Sequence, residues 1–247
     1  MAKSKHLDEL KKGVESWNQW RRENPSIVPD LRKANISQAD LSFADFRGAK
    51  LSGAKFSSTR LVGVKFNKAD LSNANFSNTE LRFADFSGSN LSHANLRKTD
   101  LKSANFTSSN LSKANLSGAI LSDAYLRKAF LGEANLSRAI LNAANLRLTN
   151  LCKANLSQAN LCLALMEEAN LQDADLSAVQ ALKTDFIGAK KAKKVVALLQ
   201  EVSKRENHQP FQSFAEIVSV LKVPRGDKST KLISEGKMME IINRWNY

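Results

Sequence analysis

The chain is short of almost everything that chemistry needs. Only two cysteines, Cys152 and Cys162, occur in 247 residues, too few to staple a secreted disulfide scaffold. The three histidines, His6, His93 and His208, fall in three separate regions. There is no Cys-x-x-Cys, His-Glu-x-x-His, phosphate loop or nucleophile elbow. Carboxylates are plentiful but isolated, with no partner to shift them toward acid–base work. No catalytic, cofactor-binding or metal-binding residue is therefore assigned, and an enzyme is not expected. Long apolar runs are missing too. Nothing approaches the roughly 20 residues of a membrane-spanning helix, and no apolar run follows the charged N-terminus as in a signal peptide. A cytoplasmic protein with no membrane contact is the expectation. The four prolines, Pro25, Pro29, Pro210 and Pro224, all lie outside the long central stretch.

That stretch counts in fives. From Leu31 to Phe186 every fifth residue is large and apolar, with Ala181 the only break, through 32 repeats without insertion or deletion. These centres are 22 Leu, 7 Phe and single Ile, Met and Ala residues, and the small positions from Ala34 to Ala189 hold Ala 23 times and otherwise Thr, Ser or Val. A period of five fits neither the 3.6 of a helix nor the 2 of a long strand. It fits a short extended segment followed by a corner. In Ala39-Asp40-Leu41-Ser42-Phe43 the first and third residues face inward, the second outward, and the last two turn. Four such sides close one coil, and coils stack as parallel strands do. About eight coils at roughly 4.8 Å each give a rod about 38 Å long. Gly48, Gly53, Gly63, Gly88, Gly118 and Gly188 all fall on the second corner position, where a type II turn needs positive φ. The corners without glycine are expected to use another turn. Cys152 and Cys162 lie half a coil apart, on opposite sides, and are expected as free thiols.

The pattern, A(D/N)LXX in form, resembles the pentapeptide-repeat family over residues 31–190. Trp17-Asn18-Gln19-Trp20-Arg21, Asn24-Pro25 and Pro29-Asp30-Leu31 are similar to the lead-in of bacterial, notably cyanobacterial, members. The resemblance implies a right-handed quadrilateral parallel β-helix, an all-β solenoid. It also brings the family's best-known activity, in which acidic members imitate DNA and occupy gyrase. Here charge objects: the chain carries +13 overall, and the repeats hold 20 basic against 13 acidic residues. A DNA mimic must offer negative charge to a basic groove, so that role is the least favoured.

Three regions follow. Residues 1–30 form a capping helix and lead-in, 31–190 the β-helix, and 191–247 a small helical segment. Leu7, Leu10, Val14 and Trp17 have helical spacing and Pro25 ends the run, so one amphipathic helix over 4–24 is expected as a lid, with Trp17 or Trp20 against Leu31 and Ile36. In 191–247, Val195, Leu198, Leu199 and Val202 make one face. Phe214, Ile217, Val218 and Leu221 make a second, and Met238, Ile241, Ile242 and Trp245 a third, with Pro210 and Pro224-Arg225-Gly226-Asp227 between them.

Read by twenties, the sides differ. The side centred on Ile36 stacks Asn75, Asn95, Asn115, Asn135 and Asn155, a solvated face. The side centred on Phe46 scatters Arg47, Lys65, Lys68, Arg127, Lys128 and Arg147. The side centred on Leu41 carries Phe43, Val62, Phe83, Ile120, Ile140, Cys162, Leu163 and Leu182 outward, and this is the candidate interaction surface. It could pair with a second copy in a homodimer, receive the C-terminal segment, or bind another protein. The expected function is a non-enzymatic scaffold for protein–protein contacts. The alternative is a nucleic-acid-binding or regulatory protein using the basic side and the C-terminal helices.

Overall fold

The computed structural model describes residues 4–181 and 183–189. Every side of the solenoid is one bridged residue. The bridges run from Asp30↔Lys50 to Leu165↔Asp185, all parallel and all joining a residue to the one four repeats further on. Four repeats per coil, the spacing inferred from the period, is therefore the observed register.

One repeat explains why. In Leu71-Ser72-Asn73-Ala74-Asn75 the Leu71 and Asn73 amides donate forward to the Asn90 and Ser92 carbonyls at 2.7 and 2.9 Å. Asn75 donates back to the Ala54 carbonyl at 2.9 Å, and Ala74 closes the corner on the Leu71 carbonyl at 3.0 Å. The remaining amide, Ser72, donates to Oδ1 of Asp70 at 3.1 Å. All five amides are satisfied, as a buried-sided solenoid requires. The last bond gives the Asp/Asn of the motif its purpose. Every Asn or Asp at a bridging position accepts from the amide two positions on, an Asx turn that a neutral aliphatic side chain cannot make.

The corners correct the sequence-based expectation. Second corner residues have positive φ throughout, from Lys33 at +57° to Gly188 at +67°, glycine or not. A left-handed residue with a Cβ costs roughly 1–2 kcal/mol. An inter-coil bond from the corner amide offsets it at most corners, as where Phe43 donates to the Val62 carbonyl at 2.9 Å. One turn serves every corner because the ladder on both sides demands it.

Inside, Ala fills the narrow positions and Leu or Phe the corners of the bore, nearly all fully buried. Phe46, Phe66, Phe86 and Phe106 stack in one column at 4.8–5.3 Å. Phe56 and Phe76 stack opposite at 4.8 Å, and the columns meet edge to face at 5.7–6.3 Å. Both geometries suit the ring quadrupole. Buried hydroxyls are satisfied by carbonyls of their own turn or of the coil before: Ser89 Oγ donates to the Phe86 carbonyl at 2.6 Å and Thr79 Oγ1 to the Phe56 carbonyl at 2.9 Å.

Charge reinforces the register near the N-terminus. Lys50, Arg60 and Lys65 are each bridged between two acidic residues: Asp30 and Asp70, Asp40 and Glu80, Asp45 and Asp85. A three-sided coil would instead oppose Asp30 to Asp45, Lys50 to Lys65 and Asp70 to Asp85. Like charges directly opposite are destabilising.

The lid is two helices rather than one. α1 (Ser4–Lys11) and α2 (Val14–Glu23) are separated at Gly13, whose φ of +107° breaks the run. Their side chains stand in for a preceding coil. His6 Nδ1 accepts from the buried Asp30 amide at 2.9 Å. Asn18 Oδ1 accepts from the Asp45 amide at 2.8 Å. Trp17 Nε1 donates to the Asp45 carbonyl at 2.9 Å and Arg21 to the Arg47 carbonyl at 2.8 Å. Trp17 is fully buried, stacked on Trp20 at 5.2 Å and tilted against Phe46 at 5.4 Å. The helices expected in 191–247 lie outside the described residues.

Candidate interaction surface

The side centred on Leu41 is uneven. Phe43 and Phe83 occupy second corner positions two coils apart and are 64% and 63% exposed. Between them sits Gly63. The Phe43 ring lies over it so closely that an added Cβ would stand 2.6 Å from Cε1. Val62 lies beside the glycine, half-buried. An aromatic patch thus forms where two bulky residues accept a left-handed backbone, at φ +62° and +59°, with no ring contact to each other.

Further along, Ile120 and Ile140 are bridge partners, the first half-buried and the second 39% exposed. Leu163 is 55% exposed and Cys162 half-buried; both thiols are free. Leu182 lies outside the described residues. Asp100, Lys102 and Ser103 separate these aliphatic residues from the Phe43–Phe83 patch, so the side holds two patches and not one stripe. Charge runs through it as well: Arg60 reaches Asp40 at 3.7 Å and Glu80 at 3.4 Å, and Arg82 pairs with Glu80 and reaches Asp100 at 3.7 Å.

Comparing columns on one side missed apolar residues on the others. Tyr125 is 55% and Phe130 52% exposed, Leu148 and Ile187 are exposed too, and Leu165 is half-buried. The signal was available at the bridging position. Where Asn or Asp is replaced, the substitutes up to residue 80 are charged (Lys50, Lys55, Arg60, Lys65, Glu80). The apolar ones, Ile120, Tyr125, Phe130, Ile140 and Leu165, are confined to 120–165.

The basic side is less basic than its sequence. Arg47 forks onto Asp45, with Nη2 at 2.6 Å, and Arg147 meets Glu167 at 2.7 Å. Burial raises the Asp45 carboxyl, but the bonds and charge of Arg47 outweigh it and hold the group below its ordinary value. The Arg32 side chain bonds Asp30 at 2.7 Å and pulls its carboxyl down to about 2. Among the described residues no cluster of three or more His, Cys, Asp or Glu could hold a metal ion. No helix among them is long and apolar enough to cross a membrane.

Fold and surface together define a repeat solenoid whose regular flanks present side chains to solvent. Pentapeptide repeats match in 8 copies across residues 30–190, and the chain belongs to the pentapeptide-repeat family, whose members fold as right-handed quadrilateral β-helices. Among solved structures, it is similar to HetL, a pentapeptide repeat protein involved in heterocyst differentiation regulation from the cyanobacterium Nostoc sp. strain PCC 7120. The identity is 26%, over 69% of this chain and 90% of that one, with a TM-score of 0.37. QnrB1, a plasmid-mediated fluoroquinolone resistance protein, matches at 22% identity over 69% and 88%, with a TM-score of 0.45. A pentapeptide repeat protein from the Arabidopsis thaliana thylakoid lumen matches at 29% over 48% and 77%, with a TM-score of 0.33. Membership rests on the repeat match and the bridge register, not on these superpositions. A search of curated proteins returns no match.

Proposed function

We propose that this chain is a non-enzymatic interaction scaffold: a right-handed rod of about eight coils that works in the cytoplasm without a cofactor. It meets a protein partner through the side carrying Phe43, Val62, Phe83, Ile120, Ile140, Cys162, Leu163 and Leu182. The observation that carries the reading is the pair Phe43 and Phe83 about Gly63. Two large rings stand at strained, mostly exposed corners, where they give the fold nothing that the lysines and serines of other corners do not. Exposed aromatics of this kind are the usual anchors of protein interfaces. The pairing of Arg47 and Arg147 takes support from the nucleic-acid reading.

Affinity capture from the native host, with full-length wild type beside Phe43→Ser/Phe83→Ser and Ile120→Glu/Ile140→Glu chains, tests it. The expected result is a protein recovered by wild type and lost by one variant at unchanged melting temperature. Equal recovery by all three chains would refute the surface. A halved mass in light scattering would make the partner a second copy.

A further inference from the structure

We propose that two copies of this chain pair face to face, with their rods antiparallel, through the side centred on Leu126, Leu146, Met166 and Phe186. The bridge column of this side runs Asn105, Tyr125, Asn145, Leu165, Asp185. Tyr125 is 55% exposed and Leu165 half-buried, and neither fills the bore. Leu163 and Leu148, exposed at the two flanking corners, widen the patch. Charge lies at both ends of it. Arg127 and Lys128 follow Tyr125 at the corner, and Glu167 and Glu168 follow Leu165 two coils on. Among the described residues Arg127, Lys128 and Glu168 form no ion pair, while Glu167 holds Arg147 at 2.7 Å. A surface basic at one end, acidic at the other and apolar between is complementary to itself when reversed, as a two-fold contact requires.

The register follows from both patterns together. A two-fold axis lying across the rod at Asn145 sets each column against its own copy in reverse order. Tyr125 then meets the second copy's Leu165, and Leu148 meets Leu148. Arg127 and Lys128 meet Glu167 and Glu168, twice over. Asp123 is left opposite Leu163 at the rim. A parallel pair would match Lys128 with Asp123, but it would set Glu168 beside Leu163 and Lys183 beside Ile187. The antiparallel overlap runs between residues 105 and 185 of both copies, four coil spacings or about 19 Å. That is a contact at the small end of specific interfaces, so the dimer dissociates readily. Phe43 and Phe83 lie outside the overlap, and this inference therefore stands or falls separately from the partner reading.

Sedimentation of the full-length chain from about 1 to about 300 µM, a range that brackets the affinity of a small interface, tests it. The expected result is a monomer–dimer equilibrium with no larger species. Leu165→Asn installs the residue that Asn145 shows to fit this column, so the fold stands while the dimer weakens about ten-fold. Lys128→Glu should also weaken it about ten-fold, since two exposed pairs become repulsions. Lys128→Glu with Glu168→Lys in the same chain should restore wild-type association. In a Cys152→Ser/Cys162→Ser background, a short bismaleimide should join two copies through Asn145→Cys and not through Lys68→Cys, which lies beyond the overlap. A monomer throughout, as residues 190–247 or another protein seated on this side would give, overturns the proposal. So do masses beyond the dimer, a Leu165→Asn dimer of unchanged strength, or a charge swap that restores nothing. The Phe43→Ser/Phe83→Ser chain should dimerise as wild type does, even where it loses partner capture.

Discussion

Asn18→Ala should expose how much the lid contributes by imitating a coil. The side chain makes two bonds with the first coil: Oδ1 accepts from the Asp45 amide at 2.8 Å, partly buried, and Nδ2 donates to the Phe43 carbonyl at 3.1 Å, exposed. In later coils a bridging amide finds a backbone carbonyl in the coil before, as Lys65 finds Ala44 at 3.0 Å. Asp45 has no such coil before it, so truncation leaves its amide without an acceptor. An unpaired, partly buried donor costs about 1–2 kcal/mol, and the exposed bond adds about 0.5 kcal/mol. A total of about 2 kcal/mol corresponds to a fall of roughly 4–8 °C in melting temperature for a chain of this size.

The assay is urea unfolding of the full-length chain, paired with amide exchange read at Asp45 and at Asn145. Asp45 should exchange much faster in the variant, while Asn145, bonded to the Ala124 carbonyl at 2.9 Å, should be unchanged under native conditions. Trp17→Phe, which keeps a ring but loses the bond to the Asp45 carbonyl, should cost about 1 kcal/mol. The double variant should fall short of additive, because both side chains hold the backbone of one residue, Asp45. A change below about 0.5 kcal/mol, the size of an ordinary surface substitution, with Asp45 exchange unaltered, would refute the idea that these side chains replace a coil.

Phe66→Ala removes the ring that stacks on Phe46 and Phe86 and meets Phe56 and Phe76 edge-on; unfolding should show a loss of about 3–5 kcal/mol. Gly63→Ala brings a methyl to 2.6 Å from the Phe43 ring. The ring is a movable end, so the expected result is a displaced Phe43, visible as altered ring resonances in NMR, and a loss of about 2–3 kcal/mol, the clash adding about 1 to the left-handed strain of an alanine at φ +62°. Acid should weaken the lid junction. The folded Asp30 carboxyl sits near 2, below its ordinary 3.8, so its stabilisation is complete above pH 4 and is lost as pH falls toward 2. Discounted for the half-exposed Arg32 partner, this is about 1 kcal/mol. Unfolding from pH 5 to 2 should show that share missing in Asp30→Asn.

The solenoid was legible because every repeat states the same geometric demand, and 32 statements of it leave no competing period. The register of twenty followed from closing four five-residue sides into one coil, and the opposed charges at Lys50, Arg60 and Lys65 agree with it. The corners were misread because positive φ was tied to glycine, whereas glycine and non-glycine corners share one φ and one inter-coil bond. Lys33, Phe43 and His93 reach the same φ because the bond each amide donates to the next coil is long-range and invisible in a window of one repeat. The single helix expected over 4–24 failed at Gly13, since Leu10, Val14 and Trp17 keep helical spacing across a break that merely turns the axis. The role of His6 was beyond reach. Nothing in a lone histidine announces that the first bridging amide, at Asp30, lacks an acceptor from the backbone.

The bridging position separates structural need from anything beyond it. Asn and Asp there serve the backbone, each taking up one corner amide. Lys50, Arg60 and Lys65 give up that bond, yet each lies between two acidic partners that hold the four-sided register, so the fold recovers part of what it forgoes. Ile120, Tyr125, Phe130, Ile140 and Leu165 recover neither. An aliphatic or aromatic side chain accepts nothing from the corner amide and, standing outside the bore, adds little burial. Asn145, between Tyr125 and Leu165, and Asn160, next to Ile140, show that the ordinary residue fits these very columns. Substitutions that repeatedly decline the better local choice, and do so only over 120–165, are what the proposed interaction surface would require. Restoring the motif with Ile140→Asn should therefore stabilise the isolated chain, by about 0.5–1 kcal/mol for the recovered bond, while weakening whatever contact that surface makes. A loss of stability on making the residue more typical would show that Ile140 serves the fold after all.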